Sequence, residues 1–359
     1  MKRLRQILTL VFSVITVMAS AQQVNLQKTL DLFLDSSVKA NNIPAISVVL
    51  IEDGKVIYRK TMGYANLEYK IPNTGQTAFQ LASCTKLISA TALMTLVQEN
   101  KLDLQAKVRS YLPDLPAPWD DMRVMDLVAH QSGVADLLAL KMNFKSVDEA
   151  YDTAVARKLD FAPGTKTVYA GGDYALVQKL VERITGLRFQ EFLKQKLLLP
   201  LGMNHTVFNN MEQDYIYRTY DTIPYAATVY KNIKDENRQR IFSMMFPSWT
   251  YPAGGIFSSL DDLTKWVIAM DKGKLIRPEL LDLMWTPAKR RDGTDSPFGV
   301  GWIVDKMNGE KVTGHSGGPA LADIARLPGR KITSIVLTNQ LELRPYLANQ
   351  ILRIYMRGK

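Results

Sequence analysis

Two short stretches carry residue types able to attack a carbonyl carbon. In Ser83-Cys84-Thr85-Lys86 a hydroxyl and an amine stand three residues apart, which on a helix puts them one turn apart on one face. In "GHSGG", residues 314–318, the Gly-x-Ser-x-Gly spacing of a nucleophile elbow surrounds Ser316. The chemistry on offer is the same at both places. A hydroxyl attacks, a covalent acyl intermediate forms, and a base within hydrogen-bond reach accepts the proton.

Order along the chain separates the two. An elbow's partners follow it as Ser, acid, His, and the three histidines here are His130, His205 and His315, none of them after Ser316. With Pro319 the run is also similar to the segment around a trypsin-type serine, for which His130 and His205 stand in a workable order. Such enzymes are built from β-barrels, and the long helical stretch expected mid-chain leaves no room for two. Ser316 stays open as the weaker nucleophile.

Ser83 has better surroundings. From Leu87 to Val97 the chain is apolar on nearly every side, which predicts a helix buried all round. Ser83 stands at its start, where the helix dipole favours a developing oxyanion. Lys86 lies in a stretch from Phe79 to Val97 otherwise almost free of charge, and burial lowers an amine's pKa towards the range of a working base. The motif alone is unspecific. Ser36-Ser37-Val38-Lys39 repeats it in an amphipathic N-terminal segment, where a cap and a surface lysine are a sufficient reading.

The elements that must position these residues fall into three groups. Residues 45–65 are two β-rich runs joined at Asp53-Gly54, a strong hairpin signal. Residues from about 84 to 200 read as mostly helical, with a capping box at Ser146 and Glu149. There Leu176, Leu180, Val181 and Ile184 share one face of a helix that stops at Gly186. After about residue 295 strands return, turning at Asn308-Gly309 and near Pro328-Gly329, and an amphipathic segment over 346–357 follows. Tight hairpins imply antiparallel pairing. The expected class is α/β (α+β): an antiparallel sheet built from both chain ends, flanked by helices, with an inserted mostly helical subdomain. The sheet part covers about 22–82 and 250–359, and the helical part about 83–249, of one domain over 22–359. The tyrosine-rich segment 206–252 either lines a cleft or packs against the helices.

The first residues set the compartment. A basic start, an apolar run and Ala19-Ser20-Ala21 read as a secretory signal over 1–21, too short to span a bilayer. An uncleaved N-terminal anchor is the rival reading. A periplasmic or secreted protein is expected. Loss of Lys2, Arg3 and Arg5 with the signal takes the net charge from +10 to +7, which suits solubility and anionic neighbours. No Lys/Arg stripe of the kind nucleic acid requires is visible. Cys84 is the sole cysteine, so no internal disulfide forms, and no Cys/His spacing suggests zinc. No metal or cofactor is called for.

Several segments, in order, resemble the serine β-lactamase and penicillin-binding-protein superfamily, in its class C β-lactamase and D-Ala-D-Ala carboxypeptidase/esterase branch. They are the Ser-x-x-Lys run, "LVAHQSGVADL", "FAPGTKTVYAGGDYALV", "PLGMNHTVF", "PAGGIFSSLDDLTKW", and "FGVGW" ahead of His315-Ser316-Gly317. The resemblance spans nearly all of the chain after the signal. It implies a β-lactamase/transpeptidase-like fold and an acyl-enzyme mechanism on a D-amino-acid peptide, a β-lactam or a small ester. Ser83 becomes the nucleophile, with Lys86 and Tyr169 moving its proton. The amides of Ser83 and Gly318 form the oxyanion hole. His315, Ser316 and Gly317 line the substrate site, and His315 and Ser316 contact a substrate carboxylate or the Lys86/Tyr169 network.

One departure stands out. The middle motif of that superfamily is Tyr-x-Asn, whereas this chain has Tyr169-Ala170-Gly171. Gly171, at the substrate-binding position, lacks the carboxamide that would bond an acylamino group, a loss of about 0.5–1.5 kcal/mol for a neutral pair. The change favours esterase-like or unassigned amide hydrolysis. It also keeps open a protein of this fold that binds cell-wall peptides or penicillins without turnover. His130 and His205 are expected in structural or surface roles, Cys84 as a small buried hydrophobe. Whether Asp173 replaces the lost carboxamide is open.

Overall fold

A computed structural model describes residues 24–358 except 141, 143, 210, 214–217, 234–235, 237, 319–320 and 343–345. The secretory signal expected over 1–21 lies outside the described residues. A helix over 24–41 (α1) leads into strands β1 (Ala45–Glu52), β2 (Lys55–Asn66), β3 (Ile71–Pro72) and β4 (Ala78–Gln80). Helices α2 (Thr85–Gln98), α3 (Val147–Val155) and α4 (Gly172–Thr185) follow. Strands β5 (Val207–Phe208) and β6 (Ile256–Ser259) come next, with helix α5 (Leu260–Asp271) after them. Four strands, β7 (Ile303–Met307), β8 (Glu310–Gly317), β9 (Ala322–Leu327) and β10 (Ile332–Thr338), precede α6 (Leu347–Arg357).

The main sheet runs β7-β8-β9-β10-β1-β2-β3, with β1 antiparallel to β10. It therefore joins the two chain ends, as the hairpin pattern predicts. Asp53 and Gly54 both take positive φ, 47° and 71°, as do Asn308 and Gly309, 50° and 84°. Those signs are what a two-residue turn needs to match the right-handed twist of its strands. Strand β1 is apolar almost throughout because both sheet faces are covered. Val49 and Ile51 face the larger core with α2, while Ile46, Val48 and Leu50 face α1 and α6.

Helix α2 runs through the larger core with every residue from Thr85 to Leu96 buried. A helix apolar on all sides has no solvent face to present, and each fully buried Leu, Ile or Met on it contributes roughly 1.5–3 kcal/mol. Strand β6, between β4 and β5, fixes the approach to it through Leu81 N–H to Ile256 O, 2.9 Å.

The middle of the chain is less helical than its apolar content suggests. Between α2 and α3 it consists of turns, short 3-10 segments and one five-residue helix, Val124–Val128. Pro113, Pro116 and Pro118 interrupt it, while Leu102, Leu104, Leu112, Leu115 and Trp119 fasten it to the core. Apolar staples at irregular spacing look like a helix stripe until the prolines are weighed. The cap of α3 also differs in detail. Ser146 Oγ accepts from Glu149 N–H, but the Glu149 carboxylate takes the amide of Lys145 instead of that of Ser146. In the segment 206–252, Val229–Asn232 pairs antiparallel with Gln239–Phe242. No described helix is long and apolar enough to cross a membrane.

Candidate active site

Ser83 sits in the 3-10 turn Ala82–Cys84 that leads into α2. Ala82 before it has φ 44°, a left-handed conformation that costs a side-chain-bearing residue about 1 kcal/mol or more. Strand β8 holds this turn from behind. A Cβ on Gly317 would stand 2.0 Å from Leu81 O, so only glycine lets the strand approach. Cys84 contributes more than the volume expected of it, since its thiol donates to His315 O at 3.0 Å. The turn and strand are thereby locked in register.

Lys86 is the second residue of α2, one turn on from Ser83, and is 2 % exposed. Its ammonium donates to Ala253 O at 2.9 Å and lies 4.9 and 5.1 Å from the ring centroids of Tyr169 and Tyr174. Burial is the main cause that brings its pKa down to about 7, with nearby negative groups opposing. The repeated motif shows the contrast, because Lys39 is exposed on α1.

Tyr169 bridges the two. Its hydroxyl donates to Ser83 Oγ at 2.9 Å, while its ring, 43 % exposed overall, covers the Lys86 amine. The serine hydroxyl is thus engaged by the phenol and the lysine by a carbonyl; no direct Ser83–Lys86 hydrogen bond occurs among the described contacts. Loss of solvent around the phenol, above all, pushes Tyr169 up to about 12. It rests protonated.

His130 and Asp173 form a wall that sequence reasoning did not assemble. The His130 ring lies 4.5 Å from that of Tyr169. Its Nδ1 is 2.8 Å from Asp173 Oδ2, and Asp173 Oδ1 accepts from the Ser132 hydroxyl. Both are 1 % exposed. Burial drives His130 well below and Asp173 well above their usual values, so the pair is held without net charge. Asp173 is therefore turned into the fold and does not take the place of the missing carboxamide. The one available signal was the loop "AHQSG", whose His and Ser both reach that carboxylate.

Gly171 is not an opening either. A Cβ there would stand 2.4 Å from Leu138 Cδ1, and the Gly171 amide donates to Asp136 Oδ1 at 3.0 Å. Leu138 and Asp136 occupy the space a side chain at 171 would use. Neither was singled out from sequence.

On β8 the residues divide. His315 is buried on the face towards Tyr169, with ring centroids 5.9 Å apart. Burial first, then the Lys86 charge, brings it down to about 3, so its ring is neutral at pH 7. Gly318 follows at the exposed strand end, with open space where a Cβ would stand. Ser316 requires a correction. Side chains alternate along a strand, so its hydroxyl points to the other face and donates to Asp323 Oδ1 at 2.8 Å. The second Asp323 oxygen takes the Ala348 amide at the start of α6. Among the described residues the Ser316 hydroxyl has neither a histidine partner for an elbow nor a place beside Lys86 and Tyr169. His205 lies elsewhere, its ring against Tyr225.

Comparison with known proteins fits this geometry. The family model described as Beta-lactamase matches residues 30–354. The D-aminopeptidase of Gluconobacter oxydans (strain 621H) is 29 % identical over 282 residues, 76 % of this chain and 51 % of that one. This chain thus spans about half the length of that relative. A putative D-alanyl-D-alanine carboxypeptidase of Escherichia coli (strain K12) is 24 % identical over 350 residues, 83 % of this chain and 78 % of that one. The octameric penicillin-binding protein homologue from Pyrococcus abyssi superposes with a TM-score of 0.75 at 27 % identity, covering 92 % of this chain and 77 % of that one. With the family model covering nine-tenths of its length and the sheet, buried helix and Ser83 turn all in place, the chain belongs to the Beta-lactamase family.

Proposed function

We propose that the protein is an exported, periplasmic or secreted serine hydrolase that cleaves an amide or ester through an acyl-enzyme on Ser83. The observation that carries this is the Tyr169 hydroxyl 2.9 Å from Ser83 Oγ, above a buried Lys86 amine held near pKa 7. Tyr169 makes the contact but rests protonated, whereas Lys86, brought down to about 7 by burial, is the group able to take a proton near neutrality. The phenol therefore passes its own proton to the Lys86 amine as it takes the one from Ser83. Ser83 Oγ bonds to the carbonyl carbon, and the amides of Ser83 and Gly318 hold the oxyanion. Lys86 returns the proton through Tyr169 to the departing amine or alkoxide. Water then attacks the acyl-enzyme by the same relay and releases the acid.

The cleft lies between the sheet part of the chain and the inserted segment from about 83 to 249. Relatives named D-aminopeptidase and putative D-alanyl-D-alanine carboxypeptidase favour a small substrate of the D-amino-acid type. A non-turnover reading keeps one specific observation in its favour, the filling of position 171 by Leu138. The test incubates the protein with a chromogenic ester, a chromogenic cephalosporin and a fluorescent penicillin, beside Ser83→Ala and Ser316→Ala. Turnover that Ser83→Ala lowers by about 10³-fold or more, with Ser316→Ala retaining it, is the expected result. Labelling at Ser83 without turnover would establish the binder instead, and loss with Ser316→Ala alone would overturn both.

A further inference from the structure

Resting on the serine-hydrolase reading of this cleft, the geometry points to Asp136 as the group that selects substrates bearing a free, protonated α-amine. The nitrogen of an acylamino group and that of an unacylated α-amine occupy the same place, two bonds from the scissile carbonyl carbon. In this chain the side of the cleft next to Tyr169 presents a carboxylate where the superfamily's middle motif supplies a carboxamide. Asp136 Oδ1 accepts from the Gly171 and Leu138 amides, at 3.0 and 3.1 Å. Two backbone donors on one oxygen fix the carboxylate plane. Among the described residues no hydrogen bond reaches Oδ2 and no cation pairs with Asp136. The neighbouring amine, that of Lys86, donates to Ala253 O.

Asp136 belongs electrically to the same cleft, since its charge favours the protonated forms of both Lys86 and Tyr169. It is half-buried, open enough for a ligand to touch. A carboxylate accepts hydrogen bonds and donates none, so it repels the carbonyl oxygen of an acyl group that a carboxamide NH₂ would bind. Towards an ammonium it forms a charge-assisted bond about twice as strong as a neutral one. Leu138, filling the space over Gly171, further narrows the room for an N-acyl chain. The substrate class is therefore an amino-acid amide, ester or short peptide with an unblocked amino end.

The test compares alanine p-nitroanilide with N-acetylalanine p-nitroanilide, each as both enantiomers, and p-nitrophenyl butyrate as an amine-free reference. Wild-type protein should favour the free amine by tenfold or more in kcat/KM for one enantiomer. That advantage should fade above pH about 8, where an α-amine loses its proton. Asp136→Asn keeps an oxygen for the two amides, and should reduce the ratio of free-amine to N-acetyl kcat/KM at least tenfold. A wild-type preference for the acetylated compound, or a ratio unmoved in Asp136→Asn, overturns the assignment. Should the variant be inactive on all three substrates, the wild-type ratio and its pH limb decide alone. Butyrate turnover through Ser83 without amine preference defeats only this assignment; absence of any Ser83 acylation defeats the hydrolase reading, and this one with it.

Discussion

Lys86 in the cleft and Arg326 on β9 are each 2 % exposed, yet the fold treats the two cations differently. Arg326 gives Nη1 to Thr333 Oγ1 at 2.7 Å and Nη2 to Asp271 Oδ1 at 2.6 Å, and its guanidinium lies 4.6 Å from the Trp285 ring centroid. Asp271 in turn takes the Gly54 amide at the β1–β2 turn. Among the described residues Lys86 has no carboxylate partner; its amine meets one carbonyl and two ring faces. A buried charge with a counter-ion stays charged and ties elements together, whereas one without it sheds its proton near neutrality. Compensation marks architecture here, and its absence marks the site proposed for chemistry.

The largest effect should come from the uncompensated site. Lys86→Met removes the amine at similar length, and kcat/KM for any substrate of the wild type should fall by about 10²–10⁴-fold, the usual share of a positioned base. Its urea midpoint should stay or rise, because an amine that burial disfavours contributes little to folding. A loss of stability larger than the loss of activity would mean that Lys86 is structural and would erase the contrast.

The compensated site should behave in reverse. Arg326→Met strands the Asp271 carboxylate in the interior, at a cost of about 3–5 kcal/mol in unfolding free energy. Activity per folded molecule should persist. Arg326→Met with Asp271→Leu should recover much of the loss in the same urea titration. If the single variant unfolds no earlier than wild type, the pair holds nothing together.

Sequence reasoning reached these two regions unequally. The sheet was legible because its turns are local: Asp53-Gly54 and Asn308-Gly309 need only two positive φ angles. Helix α2 was legible because a helix apolar on every side has one place to go. Ser83 and Lys86 were found through spacing and Tyr169 through the family resemblance, and the structure brings those three together. His130, Asp136 and Asp173 were missed as a group because the His130–Asp136 stretch meets the start of helix α4 some 40 residues further along the chain, a contact that short-range spacing does not register. Ser316 was assigned to the cleft because a motif read as a string ignores the two-residue alternation of a strand. The Arg326–Asp271 pair joins residues 55 apart, a distance across which charge patterning in the sequence says nothing.

The smallest of the three effects, and the one that separates the cations within a single experiment, is the pH dependence of stability. Lys86 has a pKa of about 7 in the folded protein, against an ordinary value of 10.5. Between those values the unfolded chain binds a proton that the folded protein does not, so unfolding free energy must rise with pH across that window. Below about pH 7 both states are protonated and the burial cost is fully present; above about 10.5 neither is and it vanishes. The rise should be on the order of 2 kcal/mol between pH 7 and 9, read as the difference between wild type and Lys86→Met, in which all other titrations cancel. Arg326 keeps its charge across the range, so Arg326→Met with Asp271→Leu, which leaves no stranded carboxylate, should keep the wild-type slope. A flat wild-type-minus-Lys86→Met difference would show that the Lys86 amine keeps its proton in the folded state, and would remove the base from the cleft.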